Sequence, residues 1–263
     1  VWTPEHATVN ENLRQALAAF SFIRKQGEVV TAPGMSFSYS ATPFPLFNTG
    51  LVTAPVPGEA GRFEDLLDSA VAYFKPLSAP WSLWFCVDLL TRQENRRASL
   101  LLATQNMRMM MEAPGMIADD LAPFERPSSL RIAPVADQAT RDDFSTVMSM
   151  AFLVPLNVSR QVYGGGRLWA GRIRGWVGYS NSVAVSTAAC VEGGGAIGVY
   201  AVATRPDYQR RGYGEEIMRY AIGEMKRETG LSRSVLQSSA AGHSLYLRMG
   251  YREITKYLVY AKV

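Results

Sequence analysis

A chain of 263 residues, 48% hydrophobic and 19% charged, has the balance of a folded globular protein and the length of two compact units. Its 27 Lys and Arg against 23 Asp and Glu leave a net charge of +4 with no long run of like charges, too mild for a nucleic-acid partner but compatible with a small polyanion held by a local basic cluster. No stretch nears the roughly 18 apolar residues of a membrane span and the first residues hold no signal core, so a cytoplasmic protein without a membrane partner is expected.

Residues 5–25 carry Val9, Leu13, Leu17 and Phe20 at helical spacing and predict an amphipathic helix ending near Gly27. Strands are expected over 28–32, over 35–40 with Met35, Phe37 and Tyr39 alternating, and over 45–53, separated by Pro-Gly and Thr-Pro turns. A helix over 63–74, a buried strand over 81–87, a helix over 95–104 and a strand over 107–112 complete the first half. Its aromatics Phe44, Phe47, Trp81, Trp84 and Phe85 read as core. Cys86 lies in an apolar run, as Cys190 does later, and both read as buried free thiols. Pro123, Pro127 and the serines after it give residues 122–129 the composition of a linker, which divides the chain into units at 1–125 and 130–263.

The second half opens with a strand over 130–135 and a helix over 140–152 whose inner face is Phe144, Val147, Met148 and Ala151. Gly164-Gly165-Gly166 and residues 167–174 fit no periodicity. Segments 175–179, 182–191 and 196–204, with tight turns at Ser180-Asn181 and at 192–195, form a meander. A helix over 214–228 buries Ile217, Ala221, Ile222 and Met225 and is capped by Gly230. A strand over 234–237, a short helix ending at Gly250 and a strand over 251–262 close the chain. The order β-α-β-β-β-α-β-α-β predicts a mixed α/β (α+β) domain with a largely antiparallel sheet flanked by helices.

Chemistry concentrates where the strand ending Val202-Ala203-Thr204 passes through Arg205-Pro206-Asp207-Tyr208 into Gln209-Arg210-Arg211-Gly212-Tyr213-Gly214-Glu215 and a helix. Glycines at such a junction let backbone N–H groups converge, the helix N-terminus adds positive potential, and Arg210 and Arg211 add charge, which suits a pyrophosphate. By itself the segment also fits a capped helix with a solvated basic edge. A dinucleotide fold fits poorly, because it requires a parallel unit and a third glycine where Ile217 stands.

Together with its flanks this segment resembles the cofactor motif of the GNAT (GCN5-related N-acetyltransferase) superfamily. A second element of the family follows in order: Leu236-Gln237-Ser238-Ser239, then Leu245-Tyr246, then Gly250-Tyr251. The resemblance covers about residues 130–263. It implies a GNAT-like acyl-CoA N-acyltransferase fold and acetyl-CoA as donor, with coenzyme A as product. The backbone of Val202, Ala203 and Thr204 would pair with the pantetheine arm, and the segment from Gln209 through Arg210, Arg211, Gly212, Tyr213 and Gly214 to Glu215 would hold the pyrophosphate through its amides. The N–H near Val202 would polarise the thioester, Ser239 would stand where many members have asparagine, and Tyr246 would protonate the leaving thiolate.

The first half repeats the element order without the glycine motif and resembles a degenerate GNAT repeat, as in tandem members. It is expected to bind no coenzyme A and to serve either as a wall of the acceptor site or only as support. The acceptor implied is the primary amine of a small molecule, or less directly of a peptide or protein, acted on by a monomer or homodimer without a metal. Residues 196–204 hold no Asp or Glu to act as base, which leaves Glu192 and His243 as nearby candidates. That gap keeps open a non-catalytic acyl-CoA sensor, and a structural module remains a third reading.

Overall fold

The computed structural model describes residues 2–57, 61–123 and 129–262. Helix α1 (Pro4–Ser21) starts where Thr3 accepts the His6 N–H and a proline stands at the first position, and it stops short of the expected end. Strands β1 (Glu28–Ala32), β2 (Met35–Tyr39) and β3 (Asn48–Val52) form an antiparallel meander. The strand expected from residue 45 begins three residues later, because Pro45–Phe47 form a 3-10 turn and Pro45 has no N–H for a ladder. Helix α2 (Phe63–Phe74), β4 (Trp81–Cys86), α3 (Arg92–Thr104) and β5 (Arg108–Ala118) follow, with β4 parallel to β3. Strand β5 runs well past the expected end at residue 112. Most of the expected linker, residues 124–128, lies outside the described residues.

Strand β6 (Arg131–Pro134) leads into α4 (Gln138–Phe152), capped reciprocally by Asp137 and Thr140. The segment without periodicity contains the short helix α6 (Gly166–Trp169), preceded by α5 (Leu156–Tyr163). Strands β7 (Ile173–Ser180), β8 (Val183–Gly193) and β9 (Ala196–Thr204) form the expected meander. Both residues of each hairpin turn are left-handed: Asn181 and Ser182 at φ 48° and 65°, Gly194 and Gly195 at 60° and 72°. That geometry matches the strand twist in two-residue hairpins. Helix α7 (Tyr213–Thr229), β10 (Ser234–Gln237), α8 (His243–Arg248) and β11 (Arg252–Lys262) complete the chain. Both cysteines are free and buried, and burial pushes the Cys86 thiol up to about 11. Among the described residues no helix is long and apolar enough to cross a membrane.

The described strands form one 11-stranded sheet in the order β1-β2-β3-β4-β11-β5-β10-β9-β8-β7-β6. Each half contains a parallel pair joined by a helix: β3 and β4 through α2, β9 and β10 through α7. In each half the neighbour on the far side of that pair comes from the other half. Strand β11 pairs antiparallel with β4, and β5 pairs antiparallel with β10. Strands β11 and β5 then pair with each other through the middle of the sheet. The halves therefore exchange closing strands.

Helix α1 fastens the exchange from one face. Val9, Leu13 and Leu17 belong to the core cluster of β3, β4 and α2, while Ala16 and Phe20 belong to the cluster over β7, β8 and α4. Between these contacts, fully buried Asn12 donates through Nδ2 to the carbonyls of Val191, Gly193 and Ala196 and accepts from the Tyr200 hydroxyl at 2.7 Å. A Cβ at Gly198 would stand 1.8 Å from Asn12 Oδ1, so only glycine admits this amide to the strand.

A fragment of residues 129–263 lacks the β5 partner of β10, and its β11 has no sheet to enter. Expressed alone it should show no cooperative thermal transition by circular dichroism, and adding residues 1–123 as a second chain should restore one. A stable, cooperative 129–263 fragment would show that the exchange is dispensable.

Candidate active site

Strands β9 and β10 are paired only through Ile197 with Ser234 and Gly198 with Val235. Beyond Gly198 they diverge: β9 stays with β8 as far as Thr204, and β10 follows β5, with Ser238 N–H donating to Pro114 O. The edge of β9 that faces β10 is open from Val199 to Thr204. Ala201, at φ 49°, marks a bulge there, because the register with β8 slips between the pairs Thr187–Ala203 and Ala189–Tyr200. Thr187 Oγ1 donates to the Ala201 carbonyl at 3.0 Å and fixes the kink. Val202, Ala203 and Thr204 lie on the stretch beyond it.

At the end of β9 the chain turns through a 3-10 turn, Pro206–Tyr208. Arg210 (φ 60°) and Gly212 (φ 88°) are both left-handed, and a non-glycine residue in that region costs about 1–2 kcal/mol. This alternation curls the backbone so that successive N–H groups face one side. The first ladder bond of α7 runs from Glu216 N to Gly212 O. The amides of Gly212, Tyr213, Gly214 and Glu215 therefore precede the ladder and point off the helix end. Gly214 lies against β9: a Cβ there would come within 3.2 Å of Thr204 Oγ1.

Side chains brace this loop. Gln209 Nε2 donates to Thr204 O, Arg211 donates to Asp207 O and lies over the Tyr208 ring, and the Tyr213 hydroxyl meets Ser180 Oγ at 3.2 Å. Glu215 pairs with Arg219 at 2.8 Å, and buried Glu216 accepts the N–H groups of Ser129 and Leu130, joining α7 to the start of β6. Arg210 is exposed.

A cavity of about 250 Å³ fills the divergence. Val199, Tyr200, Ala201 and Val202 line it from β9, and Gln237, Ser239 and Tyr246 from β10 and the segment after it. The opposite wall belongs to the first half of the chain: Leu13, Ala16, Leu17 and Phe20 of α1, Leu46 and Phe47 of the 3-10 turn, Trp84 of β4 and Met111 of β5. Of the five aromatics read as core, Trp81, Trp84 and Phe85 belong to the core of the first half and Phe44 and Phe47 pack against the core over β7, β8 and α4; Trp84 and Phe47 also reach the cavity wall.

Tyr246 of α8 is 8% exposed, and burial pushes its phenol up to about 12, so it holds its proton throughout the physiological range. Its ring lies on Gly242, where a Cβ would meet Cε2 at 2.7 Å, Cζ at 2.9 Å and the hydroxyl at 3.0 Å. Ser239 Oγ accepts the Gly242 N–H, which fixes the same turn.

The two candidate bases lie elsewhere. His243 Nε2 meets Glu253 Oε2 at 3.2 Å on the surface, and Glu192 lines a separate depression with Arg172, Arg174 and Glu228 beside the β8–β9 hairpin. No Asp, Glu, His, Lys or Arg lines the cavity among the described residues. No cluster of potential metal ligands occurs among them either. Tyr200 and the Ala201 bulge carried no sequence signal as site residues, and Gln237 stood within the second family element without a role: the bulge falls on a non-glycine residue, and the cavity wall comes from distant segments.

Residues 171–253 match the acetyltransferase (GNAT) domain model. Most of the chain has the fold of solved GNAT structures. The GCN5-related N-acetyltransferase from Kribbella flavida is 16% identical, with a TM-score of 0.70 over 95% of each chain. A functionally unknown conserved protein from Staphylococcus epidermidis ATCC 12228 is 17% identical, with a TM-score of 0.64 over 92% of this chain and 96% of that one. A tandem GNAT protein from the clavulanic acid biosynthesis pathway is 10% identical, with a TM-score of 0.53 over 95% of this chain and 94% of that one. Comparison with curated protein sequences gives no match.

Because Gly242 makes room for the phenol, Gly242→Ala should destabilise the fold by about 1–3 kcal/mol, the usual cost of overpacking. The loss should largely disappear in the Tyr246→Ala background. Denaturant unfolding of the four members of this double-mutant cycle measures the coupling, and equal losses in both backgrounds would show that the ring is not what Gly242 accommodates.

Proposed function

We propose that the protein is an N-acetyltransferase that moves the acetyl group of acetyl-CoA to the primary amine of a small molecule. The observation that carries this reading is continuity: the open edge of β9 runs from the first-turn amides of α7 into a cavity lined by Tyr246. Bound there, acetyl-CoA supplies an activated thioester carbonyl. The left-handed Gly212, the amides preceding the α7 ladder and the unpaired edge at Val202 and Thr204 fit a pyrophosphate joined to an extended amide-bearing arm. Those contacts are main-chain, which leaves Ala203, Gln209 and Tyr213 free to serve the loop with their side chains. Ser239, at the cavity wall, shapes the turn that carries Tyr246.

The bulge at Ala201 aims the backbone near Val202 into the cavity, where an N–H stabilises the carbonyl oxygen as it gains charge. The amine nitrogen forms its bond to the carbonyl carbon as the C–S bond breaks. Sulfur gains one proton and nitrogen loses one. Tyr246 serves the sulfur. A phenol near pKa 12 facing a thiol near 8.5 in water is mismatched by about 5 kcal/mol. The mismatch shrinks because a thiolate in the same dry cavity is also destabilised and its pKa rises. Tyr246 therefore acts first as a hydrogen-bond donor to the departing sulfur, transfers its proton only as the bond breaks, and regains a proton from solvent when the thiol leaves. With no carboxylate on the described cavity wall, the amine enters already neutral and gives up its second proton to solvent.

We read residues 1–125 as a degenerate GNAT repeat and 130–263 as the acetyltransferase unit, supported by the two parallel pairs and the exchanged strands. The missing base supports a second reading, an acyl-CoA sensor that binds the thioester without turnover. Thiol release across an amine library separates the two. The enzyme releases free coenzyme A only when an acceptor is present, and a sensor releases none. For the enzyme, Tyr246→Phe should lower kcat about 10- to 100-fold while calorimetry finds acetyl-CoA affinity within about twofold, and unchanged kcat would remove the phenol from the chemistry.

A further inference from the structure

In the site proposed above, the pantetheine arm runs back along β9 from the α7 turn, with the thioester near Val202. Its acyl group is then directed toward Ala201, Tyr200 and Val199, which also line the cavity. Three residues of strand leave up to about 10 Å beyond the carbonyl, of which an acetyl methyl uses about 1.5 Å. The wall around this space is closed and apolar: Leu13, Ala16, Leu17, Phe20, Trp84 and Val199 are all buried. Its polar atoms ask nothing of a ligand. The Tyr200 hydroxyl donates to Asn12, Trp84 Nε1 donates to Ser82 Oγ at 3.0 Å, and the Gln237 amide atoms are buried and do not face the cavity. Solvent reaches the rim instead, where Phe152 is 54% exposed.

Resting on the acyl-CoA site of that reading, we infer that the closed end of the cavity is a pocket for the donor's acyl chain and favours chains longer than acetyl, with about four to six carbons the best fit. A methylene chain needs no polar partner, whereas an amine nitrogen would be left unpaired among these residues. The closed end therefore takes the chain, and the amine enters at the rim beside Phe152. Volume agrees: an apolar cavity of about 150 Å³ holds a benzene molecule, so the roughly 250 Å³ here takes a thioester and several further carbons. Length sets the limit. An extended chain advances about 1.25 Å per carbon, so hexanoyl spans about 6 Å from its carbonyl and decanoyl about 11 Å. Decanoyl would meet the closure where Gly198 pairs with Val235. Ala16 is a small side chain on the α1 wall, so its size sets the room left for the chain.

The test is calorimetric titration of the whole chain with coenzyme A and its acetyl, propionyl, butyryl, hexanoyl and decanoyl thioesters, which requires no acceptor. Affinity should rise about fourfold per methylene from acetyl to hexanoyl and gain nothing further at decanoyl. Ala16→Leu, which fills the pocket, should move the optimum back to acetyl or propionyl while the affinity for unacylated coenzyme A stays within about twofold. Leu17→Ala, which enlarges it, should move the optimum past hexanoyl, and it tests the assignment on its own if Ala16→Leu does not fold. Equal affinities across the thioesters, tightest binding of acetyl-CoA by the wild type, or an optimum that stays in place in the folded variants overturns the chain-length assignment alone. No binding of coenzyme A or any thioester by the wild type overturns the acyl-CoA site and this inference with it.

Discussion

Strands β9 and β10 touch through only two residue pairs, and the functional geometry of the protein depends on their parting after Gly198. Parallel strands ordinarily continue side by side, since an unpaired buried N–H or C=O is expensive. Three features oppose that here. The bulge at Ala201 bends β9 away, the Ser238–Pro114 bond keeps β10 with β5, and α8 brings Tyr246 into the gap. The result is a strand edge that stays exposed within the fold and is suited to pairing with an extended ligand. At its mouth the curled loop at Arg210 and Gly212 presents amides that the helix cannot use itself.

The exchange of closing strands makes this opening a property of the whole chain. Strand β5, from the first half, supports β10 on the side away from β9, and α1 covers the cavity from one face. Asn12 is the pin: one side chain satisfies three carbonyls around the β8–β9 hairpin and holds Tyr200 at the cavity wall. A change in the first half therefore reaches the cavity both through stability and through the shape of its wall.

Local chemistry was legible in the sequence and long-range pairing was not. The turn into α7, the capping glycine at 230 and the meander hairpins follow from residue types whose backbone preferences act over a few positions, so these elements could be placed by eye. The insertion of β11 between β4 and β5 has no local signature, because the pattern of residues 252–262 would suit a strand in either half. Nothing in the sequence singles out Asn12, and only its buried contacts with Val191, Gly193 and Ala196 reveal its role. Phe47 and Trp84 pack with the core and also line the cavity, and composition could not show the second role because an apolar cavity wall and a core have the same composition. Gln237 could be assigned to a strand end, but the isolation of its amide appears only in the folded chain.

The central claim is that the open edge of β9 and the first turn of α7 form a single acyl-CoA site. A crystal structure of the protein with coenzyme A tests it most directly. The account predicts the pyrophosphate on the amides between Arg210 and Glu215, the pantetheine arm paired with Val202 and Thr204, and the sulfur beside Tyr246. Coenzyme A bound elsewhere, or a β9 edge that remains unpaired in the complex, would contradict it.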